Sequence, residues 1–389
     1  MTVYISRYVV AILTSATVVS VLPVALPSPG ATPKDVVRQV RADQWHLPYL
    51  EVPEVHHLSQ GEGVIVAVPD TGVHPHPDLA RNLLTGKNLL PGSRGDGRKD
   101  PNGHGTAMAG IIGAHAQGRG RGVLGIAPRA QVLPIISSTH DNVGDTERLA
   151  LAIEYAIGEG ADVISISGGG GTNPRLIRAL QSAQLSDVVV VAAAGNISTD
   201  STVIYPAALD TVIAVSGIDR SGEFWVGSAY GPQVDVSAPA VDIYSTGPDM
   251  GYRRSTGTSG ATAIVAGAVA LIRAKYPYLP ADEVAHRLTA TAIDKGPPGR
   301  DDQYGYGVID LVAALTADVP PRGFGSVPAD APDTAGPSTA AAGPPADDGR
   351  AATVRGLVTL GVLVAAGGVW ALVARHRRRS DDPPPRVTR

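Results

Sequence analysis

The sequence predicts an α/β fold in which a doubly wound, mostly parallel sheet carries helices on both faces. Between about residues 42 and 317, short runs of Val, Ile and Ala alternate with stretches whose apolar residues recur at helical spacing. Most of the runs are continuously apolar, which is typical of parallel strands buried on both faces. The predicted strands are 64–68, 131–136, 162–167, 187–193 and 211–216, and the predicted helices are 104–115, 146–157, 174–184 and 259–275.

The length of 389 residues leaves room for one large globular domain or two modest ones, together with tails. Hydrophobic residues make up 43% of the 389 residues but aromatic residues only 4%, so the core must consist mainly of Val, Ile, Leu and Ala. The net charge of −4 lacks the excess of Lys and Arg that is typical of nucleic-acid-binding proteins. The chain has no cysteine, which excludes disulfides, thiolate metal sites and a cysteine nucleophile.

The N-terminal segment has the pattern of a signal peptide. Arg7 precedes an apolar run at 8–26, and small residues follow at 27–31, which predicts a signal peptide over residues 1–30. An uncleaved N-terminal anchor is the alternative. The next segment, an N-terminal extension at 31–57, contains Trp45 and Leu47, and these side chains predict that it packs on the globular domain at 58–317.

The C-terminal region predicts a membrane anchor. A linker at 318–352, rich in Pro, Ala, Gly and Asp, lacks the large apolar residues of a core. The uncharged apolar segment 356–374 comes close to the ~20 residues that cross a bilayer as a helix. Its alternative, a buried core helix, does not suit a segment isolated behind such a linker. The basic tail 375–389 predicts a cytoplasmic C-terminus and an extracytoplasmic globular domain in the cell membrane.

Three short motifs carry residues of nucleophilic catalysis. Asp70 ends the first predicted strand, His104 opens a helix of small and apolar residues, and Ser259 opens another. Open α/β sheets bind ligands beyond the carboxyl ends of their strands, so the three side chains can meet at that edge. A serine hydroxyl needs a base to take its proton, His104 can accept and return it, and Asp70 can orient the imidazole.

A fourth motif follows the strand at 187–193. Gly195 and Asn196 come after its carboxyl end, where the Asn196 side-chain NH₂ can donate to a developing oxyanion. The backbone N–H of Ser259 is the predicted second donor. Each motif alone is also found in ordinary turns and helix starts, and their combination is what favours an enzyme.

The order Asp, His, Asn, Ser resembles that of the subtilases, the subtilisin-like serine peptidases. The resemblance covers about residues 55–315. It implies a subtilisin-like fold and a serine endopeptidase that acts on polypeptides through an acyl-enzyme on Ser259. It also implies that an extended substrate pairs with a segment after the third predicted strand. The implied substrate-binding residues are Ser167, Gly168, Gly169, Gly170 and Gly195.

The arrangement of segments resembles that of the mycosins within this family. Signal, extension, protease, proline-rich linker, single membrane helix and basic tail follow one another in that order. This resemblance implies membrane components of a type VII secretion system as partners. It leaves open an alternative function, in which the domain is mainly a structural part of the secretion complex and its proteolysis is weak or dispensable.

Some positions depart from the subtilase pattern. Pro69 cannot donate to a sheet ladder, which predicts that the first strand ends or is unpaired there. Gly260 follows Ser259 where subtilases carry a bulkier residue, and it is expected to weaken the start of that helix by about 0.5–1 kcal/mol relative to alanine. Neither change removes a catalytic atom.

No cofactor or metal is predicted. Calcium is common in subtilases, but the loop 117–123 carries Arg119 and Arg121, which do not suit a hard cation. For His74 and His76 a solvated pair is favoured over a metal site. The charged segment 96–100 is interpreted as a surface loop.

Overall fold

The structure, a computed structural model, describes residues 33–139, 145–197 and 202–322. Its strands are β1 (Ile65–Asp70), β2 (Lys87–Asn88), β3 (Gln131–Ile136), β4 (Val163–Ile166), β5 (Val189–Ala193), β6 (Ile213–Ile218), β7 (Val236–Pro239), β8 (Ile243–Thr246) and β9 (Tyr252–Ser255). Its helices are α1 (Pro33–Ala42), α2 (His46–Tyr49), α3 (Val52–Leu58), α4 (His104–Gly113), α5 (Thr146–Gly158), α6 (Pro174–Leu185), α7 (Thr258–Lys275), α8 (Ala281–Ala290) and α9 (Leu311–Thr316).

The core of the domain is a seven-stranded sheet in the order β2-β3-β1-β4-β5-β6-β7. All its neighbouring strands are parallel, while β8 and β9 form a separate antiparallel pair. Helices α4 and α7 pack on one face, and α5 and α6 pack on the other. The predicted α/β architecture, with helices on both faces of a parallel sheet, is therefore confirmed.

Side-chain caps fix the starts of the two helices on the second face. The Asp145 carboxylate accepts from the backbone N–H groups of Glu147 and Arg148 at the start of α5. Asn173 accepts from the N–H of Leu176 in the first turn of α6. Such caps satisfy backbone donors that have no partner inside the helix.

Pro69 lies inside β1, and its register partner on β3 is Ile135. The strand therefore does not end at the proline, and it keeps its β3 pairing. Alternate residues of a parallel strand direct their polar groups to opposite neighbours. The carbonyl of Asp70 accepts from the chain after β3, and that of Ile65 accepts from the chain before β4. Pro69 shares the direction of Ile65, so its missing N–H faces β4, where the paired register stops at Ala67.

The N-terminal extension packs on the domain, as its apolar residues predicted. Val40, Leu47 and Leu50 are each about 95% buried in the main hydrophobic core. The Trp45 indole N–H donates to the carbonyl of Val241 at 2.9 Å. Helix α3 contributes its own buried valines to the same core, so all three helices of the extension pack on the α4–α7 face of the sheet.

Helix α7 is buried along almost its whole length, so a methyl group added at one of its glycines must fit against the neighbouring side chains. A methyl group at Gly260 would lie 3.5 Å from Ile243, an ordinary contact, whereas one at Gly267 would lie 2.6 Å from Ile126. We expect Gly260→Ala to raise the free energy of unfolding by about 0.5–1 kcal/mol, because glycine loses more backbone entropy on folding. Thermal melts of Gly260→Ala and the matched control Gly267→Ala measure this, and the control should destabilise. A lower melting temperature for Gly260→Ala would contradict the expectation.

A cavity of about 520 Å³ lies at the edge of the sheet where β5 and β6 begin, and Asp235 lines it. Burial raises the pKa of Asp235 to about 6, although the Ala214 N–H, 2.9 Å from the carboxylate, and Arg300 oppose the rise. A raised carboxyl pKa means that the folded state holds the proton more tightly, so this group's stabilisation is lost as pH rises through about 6.

We therefore expect Asp235→Asn to stabilise the domain at pH 8 by on the order of 1–2 kcal/mol. The gain should vanish below about pH 4, where Asp235 is protonated in both states. Denaturant unfolding at pH 4 and pH 8 measures the difference. An equal gain at both pH values would show that the charge of Asp235 is not its cause.

No helix within residues 33–322, apart from the two undescribed gaps, is long and apolar enough to cross a membrane. The predicted signal peptide at 1–30 and the predicted membrane helix at 356–374 lie outside the described residues, as do the linker from 323 and the tail at 375–389.

Candidate active site

Asp70 and His104 form a buried hydrogen-bonded pair at the carboxyl edge of the sheet. Asp70 is the last residue of β1, and His104 is the first residue of α4. The His104 Nδ1 atom lies 2.8 Å from Asp70 Oδ1 and 3.0 Å from Oδ2. This contact holds the ring in the tautomer with a proton on Nδ1, so Nε2 keeps a lone pair for a proton from a substrate or nucleophile.

Ser259 is the second residue of α7, and it lies at the same edge. Its hydroxyl donates to the carbonyl oxygen of Ser167, just beyond β4, at 2.8 Å. Its backbone N–H belongs to the first helical turn, where it has no acceptor inside the helix and meets the positive end of the helix dipole. Ser259 thus combines a nucleophilic group with a backbone donor at one residue.

Asn196 follows β5, the strand next to β4 in the sheet, and it is exposed. Its Oδ1 accepts from the backbone N–H of Thr258 at 2.9 Å and from the Thr258 hydroxyl at 3.1 Å. Because the oxygen is held in this way, the NH₂ group is the part of the amide left to act on a ligand. Thr258 is a residue that the sequence analysis missed, although it adjoins the nucleophile.

The predicted substrate segment leaves the sheet immediately after β4. Ser167 and Gly169 are buried, and Gly170 is exposed. The Gly170 N–H donates to the carbonyl of Tyr205 at 2.9 Å, and a methyl group at Gly169 would meet the same oxygen. One edge of this segment is therefore paired within the chain, and Gly168 is half-buried beside Ser167.

Gly195 has a positive φ of 115° between β5 and Asn196. A glycine adopts this backbone angle without a steric penalty. The turn places Asn196 beyond the strand end. The backbone N–H of Ala229, from a distant part of the chain, donates to the Gly195 carbonyl at 2.8 Å.

The interpretation of segment 96–100 as a charged surface loop is wrong for Asp100, which is buried. Asp96 is exposed, but Asp100 is only 2% exposed and accepts hydrogen bonds from the start of α4. The signal that could have revealed it is the glycine before His104, because a helix that starts with glycine needs a side-chain acceptor from elsewhere.

The interpretation of His74 and His76 as a solvated pair is wrong for His76, which is buried. It is 1% exposed, its Nε2 lies 3.0 Å from the carbonyl of Gly251, and its Nδ1 accepts from the backbone N–H of Asp78. Burial lowers the pKa of His76, although the adjacent Asp78 opposes this. The ring is therefore a neutral packing element that connects the loop after β1 to the β8–β9 pair.

The surroundings of Asp78 do not fit a calcium ion. Its carboxylate is fully buried beside the 117–123 loop and accepts from the N–H of Val123 at 2.8 Å. The charged groups that face it include Arg41, whose buried guanidinium the carboxylate attracts. Calcium needs six to eight oxygen ligands, and in the described part of the chain no three acidic or histidine side chains form such a group.

Known proteins share both the sequence and the fold of this chain. The family profile described as "Subtilase family" matches residues 61–307. Subtilisin DY of Bacillus licheniformis is 38% identical over 260 residues, which is 66% of this chain and 92% of the subtilisin. The minor extracellular protease Epr of Bacillus subtilis (strain 168) is 33% identical over 276 residues, or 70% of this chain, and this chain spans 42% of its length.

A solved structure is similar over most of the chain. It is described as "Structure of a serine protease MycP1, an essential component of the type VII (ESX-1) secretion system". It is 30% identical, with a TM-score of 0.64, and the alignment covers 74% of this chain and 91% of that one.

Proposed function

This chain belongs to the subtilase family of serine endopeptidases, and from that premise we propose that it hydrolyses peptide bonds through an acyl-enzyme on Ser259. The observation that carries the proposal is the buried Asp70–His104 hydrogen bond of 2.8 Å at the sheet edge that Ser259 shares. Asn196 lies at the same edge, beside the residue that precedes Ser259. Asp70, His104, Asn196 and Ser259 are the proposed catalytic residues.

In the proposed acylation, the Ser259 hydroxyl breaks its hydrogen bond to the Ser167 carbonyl and donates to His104 Nε2 instead. Its oxygen then attacks the substrate carbonyl carbon. His104 takes the hydroxyl proton, and Asp70 stabilises the imidazolium that forms. The carbonyl oxygen becomes an oxyanion, which accepts from the Asn196 NH₂ and the Ser259 N–H. The C–N bond then breaks, the amine leaves with the proton from His104, and water hydrolyses the ester by the same steps.

The substrate of this reaction is an extended polypeptide. Ser167, Gly168, Gly169 and Gly170 are its proposed pairing segment, and Gly195 lies beside Asn196 at the adjoining strand end. The absence of side chains at the three glycines allows a peptide backbone to approach the free edge of this segment closely.

Labelling with a fluorophosphonate probe tests the proposal. The expected result is one covalent adduct on Ser259, located by peptide mass analysis. Ser259→Ala should lose the adduct, and the matched variant Ser221→Ala, at an exposed serine that pairs only with Asp219 in the described hydrogen bonds, should keep it. Folded protein that forms no adduct at Ser259 would falsify the proposed reaction.

The proposed setting is the outer face of the cell membrane, next to a type VII secretion system. The similarity to a mycosin structure supports the association, and the apolar segment 356–374 with its basic flank supports the anchor. Expression of the full chain and of a chain that ends at residue 352 tests the anchor. The full chain should sediment with membranes, and the shorter chain should be released.

The second candidate function is a structural role in the secretion complex, with weak or dispensable proteolysis. The MycP1 structure is described as an essential component of its secretion system, and this favours a role within an assembly. Secretion in a Ser259→Ala strain, compared with a deletion strain, separates the two functions. Rescue by Ser259→Ala would support the structural role, and no rescue would support catalysis.

A further inference from the structure

The start of helix α4 is held by side chains from outside the helix. The residue before it, Gly103, has a φ of +84°, and a methyl group there would lie 2.7 Å from Pro248. Only glycine fits this position, so the usual capping side chain is absent from it. The first backbone N–H groups of the helix must therefore find acceptors elsewhere.

Asp100 supplies two of these acceptors, while the N–H of His104 itself donates to Asn102 Oδ1 at 3.1 Å. Its Oδ1 accepts from the Gly103 N–H at 2.8 Å, and its Oδ2 accepts from the Thr106 N–H at 2.8 Å. The Thr106 hydroxyl donates to Oδ2 at 2.6 Å, and the Thr71 hydroxyl donates to Oδ1 at 2.7 Å. Four donors thus converge on a carboxylate that is 2% exposed.

The same carboxylate joins the helix to the loop that carries Asp70. Thr71 follows Asp70, and its hydroxyl oxygen accepts from the N–H of Gly105, the residue after His104, at 3.0 Å. The Thr106 hydroxyl oxygen accepts from the N–H of His74 at 2.8 Å. Asp100 orients both hydroxyls as donors toward itself, so their lone pairs are left for these two N–H groups.

We propose that Asp100 is a positioning residue for the proteolytic reaction, which sets the Asp70–His104 pair by clamping the loop after β1 to the start of α4. The proposal rests on the proposed function of the Asp70, His104 and Ser259 site. Asp100 acts on His104 through Thr71, Gly105 and the helix start, and it does not touch the substrate. A displacement of about 1 Å at a catalytic pair lowers the rate by about a hundredfold, so a clamp of this kind affects turnover directly.

The charge of Asp100 also acts on the imidazolium that forms during the reaction. The charged groups that the described contacts place at the start of α4 include Asp70 from β1, Asp100 from the chain before α4, and Arg253 from β9, whose guanidinium donates to the carbonyl of Asn102. Loss of the Asp100 negative charge makes the imidazolium less favourable. The acid limb of the pH profile of kcat/KM should then move to lower pH, because His104 loses its proton more readily.

The test compares Asp100→Asn with the matched variant Asp96→Asn, in the same loop but exposed. In Asp100→Asn we expect kcat to fall tenfold or more at nearly constant KM, and the acid limb to move to lower pH. The NMR resonance of the His104 ring proton that Asp70 accepts should also shift. Asp96→Asn should change none of these quantities.

A purely structural cap gives a different pattern. A lower melting temperature with unchanged kcat, acid limb and ring-proton resonance would overturn the proposal. If Asp100→Asn does not fold, Thr106→Val and Thr106→Ser replace it, since only valine removes the hydroxyl that joins Asp100 to the His74 N–H of the loop after β1. Thr71 is less suitable, because its hydroxyl also lies 3.2 Å from Asp70 Oδ1. Loss of kcat in Thr106→Val alone supports the clamp, and equal rates in both variants overturn it.

The ring-proton resonance needs no substrate, so it separates this proposal from the proposed function. A wild-type protein without a Ser259 adduct would contradict the protease reaction. The resonance would still report whether Asp100 positions His104.

Discussion

Replacing Asn196 with alanine is expected to lower kcat by about 10²–10³-fold and to leave KM nearly unchanged. Thr258 holds the amide oxygen with two hydrogen bonds, which leaves the NH₂ group to donate to a ligand. It meets a full negative charge only when the substrate carbonyl becomes an oxyanion. Its contribution therefore belongs to the transition state and is small in the bound substrate.

Steady-state kinetics on a peptide substrate measure this effect, and a thermal melt shows whether the variant is folded. Asn196 is exposed, so its side chain adds little to the core and the melting temperature should change little. Thr258→Val is the companion variant, because it removes one of the two contacts to the amide oxygen and should lower kcat less. An increase in KM alone for Asn196→Ala would mean that Asn196 binds the ground-state substrate.

The central strands could be predicted from sequence because burial on both faces leaves a simple pattern. Strands β3, β4, β5 and β6 fall within or close to the predicted runs, since their side chains are apolar on both sides. Strands β2 and β7 and the β8–β9 pair were missed. Strand β9 reads Tyr-Arg-Arg-Ser, and half-exposed edge strands of this kind lack a continuous apolar run.

The candidate site shows which contacts a sequence can reveal. Asp70, His104 and Ser259 could be predicted as candidates because their motifs place residue types of nucleophilic catalysis at one strand end and two helix starts. Asp100 was missed because its burial and its contact with Thr71 depend on packing between segments that are distant in sequence, and a charged stretch rich in glycine is more often a surface loop. The effect of Pro69 depends on which neighbour its missing N–H faces, and only the strand order decides that.

Removing the N-terminal extension up to Pro53 is expected to lower the melting temperature strongly without a sharp rise in activity. The deletion takes away Val40, Leu47 and Leu50 from the main core, and each buried side chain of this size contributes about 1.5–3 kcal/mol. It also removes Gln44, whose side chain binds both the N–H and the carbonyl of Leu124 at 2.9 Å. The stability lost is therefore on the order of several kcal/mol.

The deletion also removes the charged side chain of Arg41, and this lowers the stability further. Arg41 is half-buried near the fully buried Asp78, and burial lowers the pKa of Arg41 while the attraction of Asp78 opposes this. Removal of Arg41 takes away a positive charge that attracts the buried Asp78 carboxylate, which destabilises the truncated chain. A chain that begins at Pro33 is the matched control, because it keeps all three helices of the extension and should melt like the longer protein.

N-terminal sequencing of native protein should find the extension still attached. A native N-terminus near Glu54, together with higher activity in the truncated form, would instead identify the extension as an inhibitory propeptide.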